Sequence, residues 1–169
     1  PNRRNGVSAS DQGLLQQLCY GSLRQIPRLQ GVLGQLLEKP LRDKDRDLQG
    51  LLLCGLYQLD STRVPDHAAV AATVDATRAL KKHWAKGMTN AVLRRYLRER
   101  EQLSTTLEQA AAASHPPWLF QRIMEQWPAA APAIVEANNQ QPPMTLRVNN
   151  RRLSRQEYFA ALQYQGIAA

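Results

Sequence analysis

Cysteine is scarce in this sequence. It occurs twice, at Cys19 and Cys54, which excludes a disulfide framework and a zinc-ligand spacing. Each lies inside an apolar helical pattern, so the expectation is a pair of reduced core thiols in a cytosolic protein. Glycine is no better organised, for the nine glycines stand alone and none builds a phosphate- or dinucleotide-binding loop. Long hydrophobic stretches are missing too. The longest uncharged apolar run, Leu51 to Leu59, is far too short to cross a bilayer, and no signal peptide precedes it. His67, His83 and His115 are scattered without a Ser, Cys or acid in triad order, and no HExxH or paired-carboxylate spacing occurs. No catalytic residue and no metal site are therefore expected. The sequence also lacks a starting Met, which suggests a fragment.

Acid is the other shortage, with 14 Asp and Glu against 22 Lys and Arg and a net charge of +8. The excess is local. From Arg78 to Arg100 there are eight cations (Arg78, Lys81, Lys82, Lys86, Arg94, Arg95, Arg98, Arg100) against Glu99 alone, a net +7. A second stretch, Pro142 to Arg155, adds Arg147, Arg151, Arg152 and Arg155 with no acid, for +4, so the remainder nets −3. Charge gathered on one helix and one later strand-turn fits a polyanion-binding surface, against the alternative of a solvated helix face.

What is present is mostly helix. At 169 residues and 43% hydrophobic the chain can form one well-cored domain and begin a second. Ser8-Ala9-Ser10-Asp11 fits a capping box, followed by a helix burying Leu14, Leu15, Leu18, Cys19, Ser22 and Leu23 up to Pro27. Leu29, Val32, Leu33, Leu36 and Leu37 give a second helix, stopped near Pro40. A third starts at Asp43 or Asp45, and its Leu48, Leu51, Leu52, Gly55, Leu56 and Leu59 mark it as the central one. Pro65 opens a fourth, whose Ala68, Ala71, Ala72, Asp75 and Ala79 form a small-residue face for close packing, with Gly55 as its natural partner.

From Ala85 onward Met88, Ala91, Val92, Leu93, Tyr96 and Leu97 form the apolar side of a fifth helix whose other side carries Asn90, Arg94 and Arg98. Asn90 can contact a nucleotide from this side, against the more common alternative of an interior Asn tying two helix ends together. Further helices are predicted over Leu103 to Ala113, Trp118 to Trp127 and Pro132 to Asn138, with Trp118 and Trp127 in core or interdomain packing rather than as stacking platforms. His67 reads as a polar residue in a helix's first turn. Met144, Leu146 and Val148 then alternate like a half-buried strand, and Ser154 with Glu157 caps a last helix bearing Tyr158, Phe159, Leu162 and Tyr164.

Leu18-Cys19-Tyr20-Gly21-Ser22-Leu23-Arg24, Gly55-Leu56-Tyr57-Gln58-Leu59, Val64-Pro65-Asp66-His67-Ala68-Ala69-Val70 and Gly87-Met88-Thr89-Asn90-Ala91-Val92-Leu93-Arg94, in that order, resemble the NusB-like helical domain. Ser114-His115-Pro116-Pro117-Trp118-Leu119 and the run from Glu136 to Asn149 resemble the N-terminal part of bacterial ribosomal RNA cytosine-5 methyltransferases of the RsmB type. The resemblance covers almost the whole chain. It implies an all-α, NusB-like RNA-binding bundle over residues 7–141, then the incomplete β-α start of a small RRM-like or ferredoxin-like domain over 142–169. It also implies a methyltransferase domain absent from this chain, where S-adenosylmethionine binds and two cysteines act. Neither Cys19 nor Cys54 matches those cysteines. Family members usually carry a basic helix ahead of the point where this sequence starts, and Thr89 replaces a residue that is more often apolar.

The expected RNA-binding residues are Lys81, Lys82, Lys86, Asn90, Arg94, Arg95, Arg98, Arg147, Arg151 and Arg152. The expected partners are ribosomal RNA and the chain's own methyltransferase domain, with no membrane, no DNA and a cytoplasmic location. A stand-alone antitermination factor and a protein-interaction scaffold are the other readings. Recognition is expected to run through backbone and shape, because the basic helix lacks aromatic platforms apart from Tyr96.

Overall fold

The computed structural model describes residues 7–140, 142 and 145–167. They divide into two units, the first ending at Asn139 and the second beginning at Gln140. The first unit contains α1 (Gln12–Arg24), α2 (Ile26–Leu36), α3 (Arg46–Ser61), α4 (Asp66–Ala79), α5 (Lys86–Thr105), α6 (Gln109–Ala112), α7 (Pro117–Gln126) and α8 (Ala131–Asn139). Short 3-10 turns, Asp43–Asp45 and His83–Ala85, lead into α3 and α5.

The central position of α3 follows from its leucines. Leu48, Leu52 and Leu56 have no solvent exposure at all, and each buried leucine contributes roughly 1.5–3 kcal/mol. α1, α2, α4 and α5 all pack against this helix. Gly55 allows α4 and α5 to approach α3 closely, since a Cβ there would lie 2.8 Å from Thr73 Cγ2 and 3.2 Å from Leu93 Cδ2. Close packing at Gly55 is as expected, but the partner surface is not the alanine face. Ala71, Ala72, Asp75 and Ala79 are exposed, whereas Ala69, Val70, Thr73, Val74 and Thr77 are buried. The threonines can enter the core because their hydroxyls are satisfied within the helix: Thr73 Oγ1 donates to the Ala69 carbonyl and Thr77 Oγ1 to that of Val74, both at 2.7 Å. Their polarity is thereby satisfied inside α4.

α1 is less buried than its leucines suggest. Only Ser22 is fully buried on it, while Leu14, Cys19 and Leu23 are exposed. It approaches α3 closely at Gly21, where an added Cβ would fall 2.1 Å from Tyr57 Cζ. Cys19 is thus not a core thiol, and Cys54 is half-buried with the Ser22 hydroxyl 3.7 Å from its sulfur. The expected capping box at Ser8 does not form either. Asp11 occupies the N-cap position, and Ser8 Oγ donates to its carboxylate at 2.7 Å. Pro27 sits in the first turn of α2 rather than ending α1. The sixth helix begins later than its apolar pattern implied, for Leu103 belongs to α5 and α6 is four residues long.

Asp60 at the end of α3 joins three helices. It accepts from both terminal nitrogens of Arg28 on α2 and, at 2.7 Å, from the Tyr96 hydroxyl on α5. Burial pushes this carboxyl upward, yet the hydrogen bonds from Arg28 and Tyr96 outweigh it and hold Asp60 below the usual carboxylate range. Burial and the same bond to Asp60 push the Tyr96 phenol well above its ordinary value.

At the other edge His115 is 4% exposed. One ring nitrogen lies 2.6 Å from the Ala113 carbonyl and the other 3.2 Å from the Asn138 side chain, while Asn139 also donates to Ala113. This links the α6 end to the α8 end. Trp118 and Trp127 are 70% and 52% exposed, so neither is core packing in this unit. An apolar α7 face lies inward only at Ile123.

The second unit contains α9 (Arg155–Tyr164). Its capping box is as expected, with Glu157 N–H donating to Ser154 Oγ at 3.2 Å and Ser154 N–H to Glu157 Oε2 at 2.7 Å. Met144 lies outside the described residues, and 145–149 carries no regular secondary structure. A strand exists only against a ladder partner, and none occurs among the described residues.

Candidate nucleic-acid interface

The basic segment starts where α4 ends. Lys82 N–H donates to the Thr77 carbonyl and Lys81 N–H to that of Arg78, both at 2.9 Å, the pattern that closes a helix with one left-handed residue. Lys81 is that residue, with φ 57°, and it is exposed. Lys82 turns the other way. Its side chain is 14% exposed, and Nζ reaches Asp45 Oδ1 at 2.6 Å, Asp47 Oδ1 at 2.7 Å and the Lys44 carbonyl at 3.1 Å. Lys82 therefore fastens this turn to the start of α3 instead of facing solvent.

Ala85, with no exposed surface, anchors the 3-10 turn from beneath, and α5 begins at Lys86 with neither a side-chain cap nor an acid in its first turn. The positive end of the helix dipole is thus left uncompensated beside Lys86. Along α5, Thr89, Val92, Leu93 and Tyr96 point into the core, and Lys86, Arg94 and Arg98 are exposed. Thr89 is completely buried, and its hydroxyl has no hydrogen-bond partner. Asn90 accepts from Arg94 Nε at 3.0 Å, one turn along the same helix, and so does not tie two helix ends. Positions 90, 94 and 98 rise by about 6 Å per step, comparable to the spacing of phosphates on a nucleic-acid strand.

Arg95 is committed internally, with Nη1 donating to the Leu36 carbonyl at 3.2 Å and Nε to Glu99 at 2.9 Å. Arg100 donates to the Leu59 carbonyl at 2.9 Å and lies 5.4 Å above the Tyr96 ring. Arg78, Lys81, Lys86, Arg94 and Arg98 are the cations of this segment that are exposed and form no ion pair among the described residues.

Tyr96 is 2% exposed and cannot be a platform. An exposed aromatic that the apolar periodicity does not single out is Trp84, in the 3-10 turn between Lys82 and Lys86, whose indole is 62% exposed. Its signal was available, because it is a tryptophan in a lysine-rich turn outside the apolar periodicity of either flanking helix. In the second unit Arg147, Arg151 and Arg152 are exposed, the latter two in a turn where Asn149 accepts from the N–H groups of Arg151 and Arg152.

Among the described residues no group of three or more His, Cys, Asp or Glu could hold a metal ion, and no helix is long and apolar enough to cross a membrane. These features define a helical-bundle protein with an open cationic edge. Comparison with known proteins supplies the family: over residues 2–98 the chain matches, and belongs to, the NusB family. A second match, described as Methyltr_RsmF/B-like, ferredoxin-like domain, covers residues 115–169 and so takes in α7, α8 and α9. The chain is 45% identical over 170 residues to the ribosomal RNA small subunit methyltransferase B of Proteus mirabilis. It is 47% identical over 171 residues to the protein of that name from Pseudomonas putida and 46% over 169 residues to the one from Pasteurella multocida. Each alignment covers all of this chain but only 40%, 39% and 38% of the relative. The chain thus spans about two fifths of the length of the curated relatives it matches.

Proposed function

We propose that this chain is the RNA-binding amino-terminal module of a cytoplasmic, S-adenosylmethionine-dependent methyltransferase that acts on cytosine C5 of small-subunit ribosomal RNA. In this reading the helical domain, residues 7–141, grips structured RNA, and residues 142–169 open the small domain that leads to the catalytic one. The observation that carries it is the row of exposed cations, Lys81, Lys86, Arg94 and Arg98, on one edge of the bundle without ion-pair partners among the described residues. Like charges at one-turn spacing repel unless a polyanion neutralises them. Base modification requires the target out of its stack, so a separate domain that fixes the RNA is a sound division of labour.

The residues present do not fit S-adenosylmethionine. No strand, glycine turn and helix occur in succession among the described residues, and the exposed Cys19 and half-buried Cys54 sit on helices of the bundle.

Binding of the chain to structured ribosomal RNA, measured by fluorescence anisotropy over a salt series, tests the reading. Arg94→Gln with Arg98→Gln is expected to weaken binding and lower the slope of log K against log salt by about 1–2. If the folded double variant keeps both affinity and slope, α5 is not the RNA face, and Arg147, Arg151 and Arg152 take its place. Salt-insensitive binding by the wild-type chain would instead favour a protein-interaction scaffold.

A further inference from the structure

We propose that Trp84 is a stacking platform for an unpaired nucleobase, so that this edge selects RNA with a loop or bulge over uniform duplex. The proposal rests on the RNA-binding reading above and adds a base-contacting residue to a face otherwise made of charge.

The indole is out of place on any other account. Tryptophan carries the largest apolar surface of any side chain and is highly buried on average, yet Trp84 is 62% exposed. The exposure does not come from a loose segment. Its neighbour Ala85 is wholly buried, Lys82, two residues before it, is fixed to Asp45, Asp47 and the Lys44 carbonyl, and the chain enters the turn through the closed end of α4. The fold holds the backbone still on both sides of Trp84 while leaving its ring in water.

Nor is the ring occupied by a neighbouring cation. The cation–π contact recorded among the described residues is Arg100 over Tyr96, although Lys81 and Lys86 lie within three residues of Trp84. An exposed ring with no cation over it can take a base, and every base offers a π-face.

Charge decides the kind of partner. Trp118 and Trp127 are also exposed, but Trp84 alone of the three lies in the segment that carries net +7. A neutral hydrophobic partner has no use for Lys81, Lys86 and the uncapped start of α5. A nucleotide has a use for all of these features, placing its base on the indole and its flanking phosphates beside the lysines. Sequence-selective RNA contacts are made mostly to unstacked bases in loops and bulges, because the grooves of paired A-form RNA hide the base edges.

The test compares the full chain and its Trp84→Ala and Trp84→Phe variants on two RNA probes of equal phosphate number, a blunt duplex and a hairpin with a single-stranded loop. Stacking on one aromatic predicts that wild type prefers the hairpin by about 5- to 150-fold. Trp84→Ala should abolish that preference without changing duplex affinity or its salt slope, and Trp84→Phe should keep most of it. If Trp84→Ala binds both probes as wild type does, the platform is refuted while the RNA-binding reading stands. If wild type binds neither probe, or if polyglutamate competes as well as RNA of equal charge, both fall.

Discussion

Replacing Gly21 by alanine tests the seating of α1 on α3, because two effects of opposite sign meet at that residue. In a helix interior alanine is favoured over glycine by about 1 kcal/mol, so a free-standing α1 would be stabilised. In the folded protein the new Cβ would lie 2.1 Å from both Cζ and Oη of Tyr57 and 2.7 Å from Cε2. Relief to an ordinary contact of about 3.4 Å requires a displacement of roughly 1.3 Å. Tyr57 is 7% exposed, and its ring cannot swing aside without displacing other core groups. Overpacking of this kind costs about 1–3 kcal/mol, and an overlap of this depth belongs at the upper end. The net expectation is a loss of about 2 kcal/mol.

Gly50→Ala on α3 is the control, since nothing lies within 4 Å of a Cβ there and the full propensity gain of about 1 kcal/mol should appear. Thermal melts of the two variants should bracket wild type, at about 2–4 °C per kcal/mol for a chain of this size. Tyr57→Leu should partly rescue Gly21→Ala, giving a coupling energy of about 1 kcal/mol or more in a double-mutant cycle. A Gly21→Ala protein that melts at or above wild type would refute the packing of α1 described above.

Asp60→Asn should destabilise the protein by about 2 kcal/mol at neutral pH, because Arg28, whose side chain is 20% exposed, loses its carboxylate partner. Asp60 is held below the usual carboxylate range, so its contribution is complete above that range and disappears as pH falls through the lowered value; the gap between variant and wild type should close in strong acid, as read by urea unfolding over a pH series. Thr89→Val should raise the melting temperature by a few degrees, since it removes a buried hydroxyl with no partner at nearly constant volume and gains about 1 kcal/mol. An unchanged or lower melting temperature would mean that the hydroxyl is satisfied.

The parts of the fold that were legible in the sequence are those where burial follows residue type. α3 was recognisable because its leucines recur at helical spacing and all face inward. α4 was misread because its buried side uses Thr73 and Thr77, whose polarity is cancelled by bonds to their own helix, while alanine, small enough for a tight interface, is equally at home on a surface. α1 differs for the opposite reason, since its leucines fit a core pattern but Leu14 and Leu23 are exposed and Ser22 is the buried residue of the helix. At the candidate site, the charge pattern marked a basic segment but could not separate its exposed cations from those paired within the fold. Lys82 and Arg95 are partnered by Asp45, Asp47 and the Leu36 carbonyl, residues at least 35 positions distant in the chain. Such pairings depend on the tertiary fold and leave no local trace.

The bond between Lys82 and the start of α3 also bears on how fast this edge can capture a ligand. A loop that must order itself at the moment of contact adds a conformational step, which slows association and lowers the fraction of productive encounters. Here Lys82 spans about 37 residues of chain to hold the turn at Asp45 and joins it to the most buried helix of the bundle, so the ordering is completed when the protein folds. On the proposed RNA-binding reading, capture would be governed by diffusion and by the field of the exposed lysines and arginines. A bound strand would leave without any local unfolding, and its residence time would reflect the contacts it makes rather than the motion of the turn.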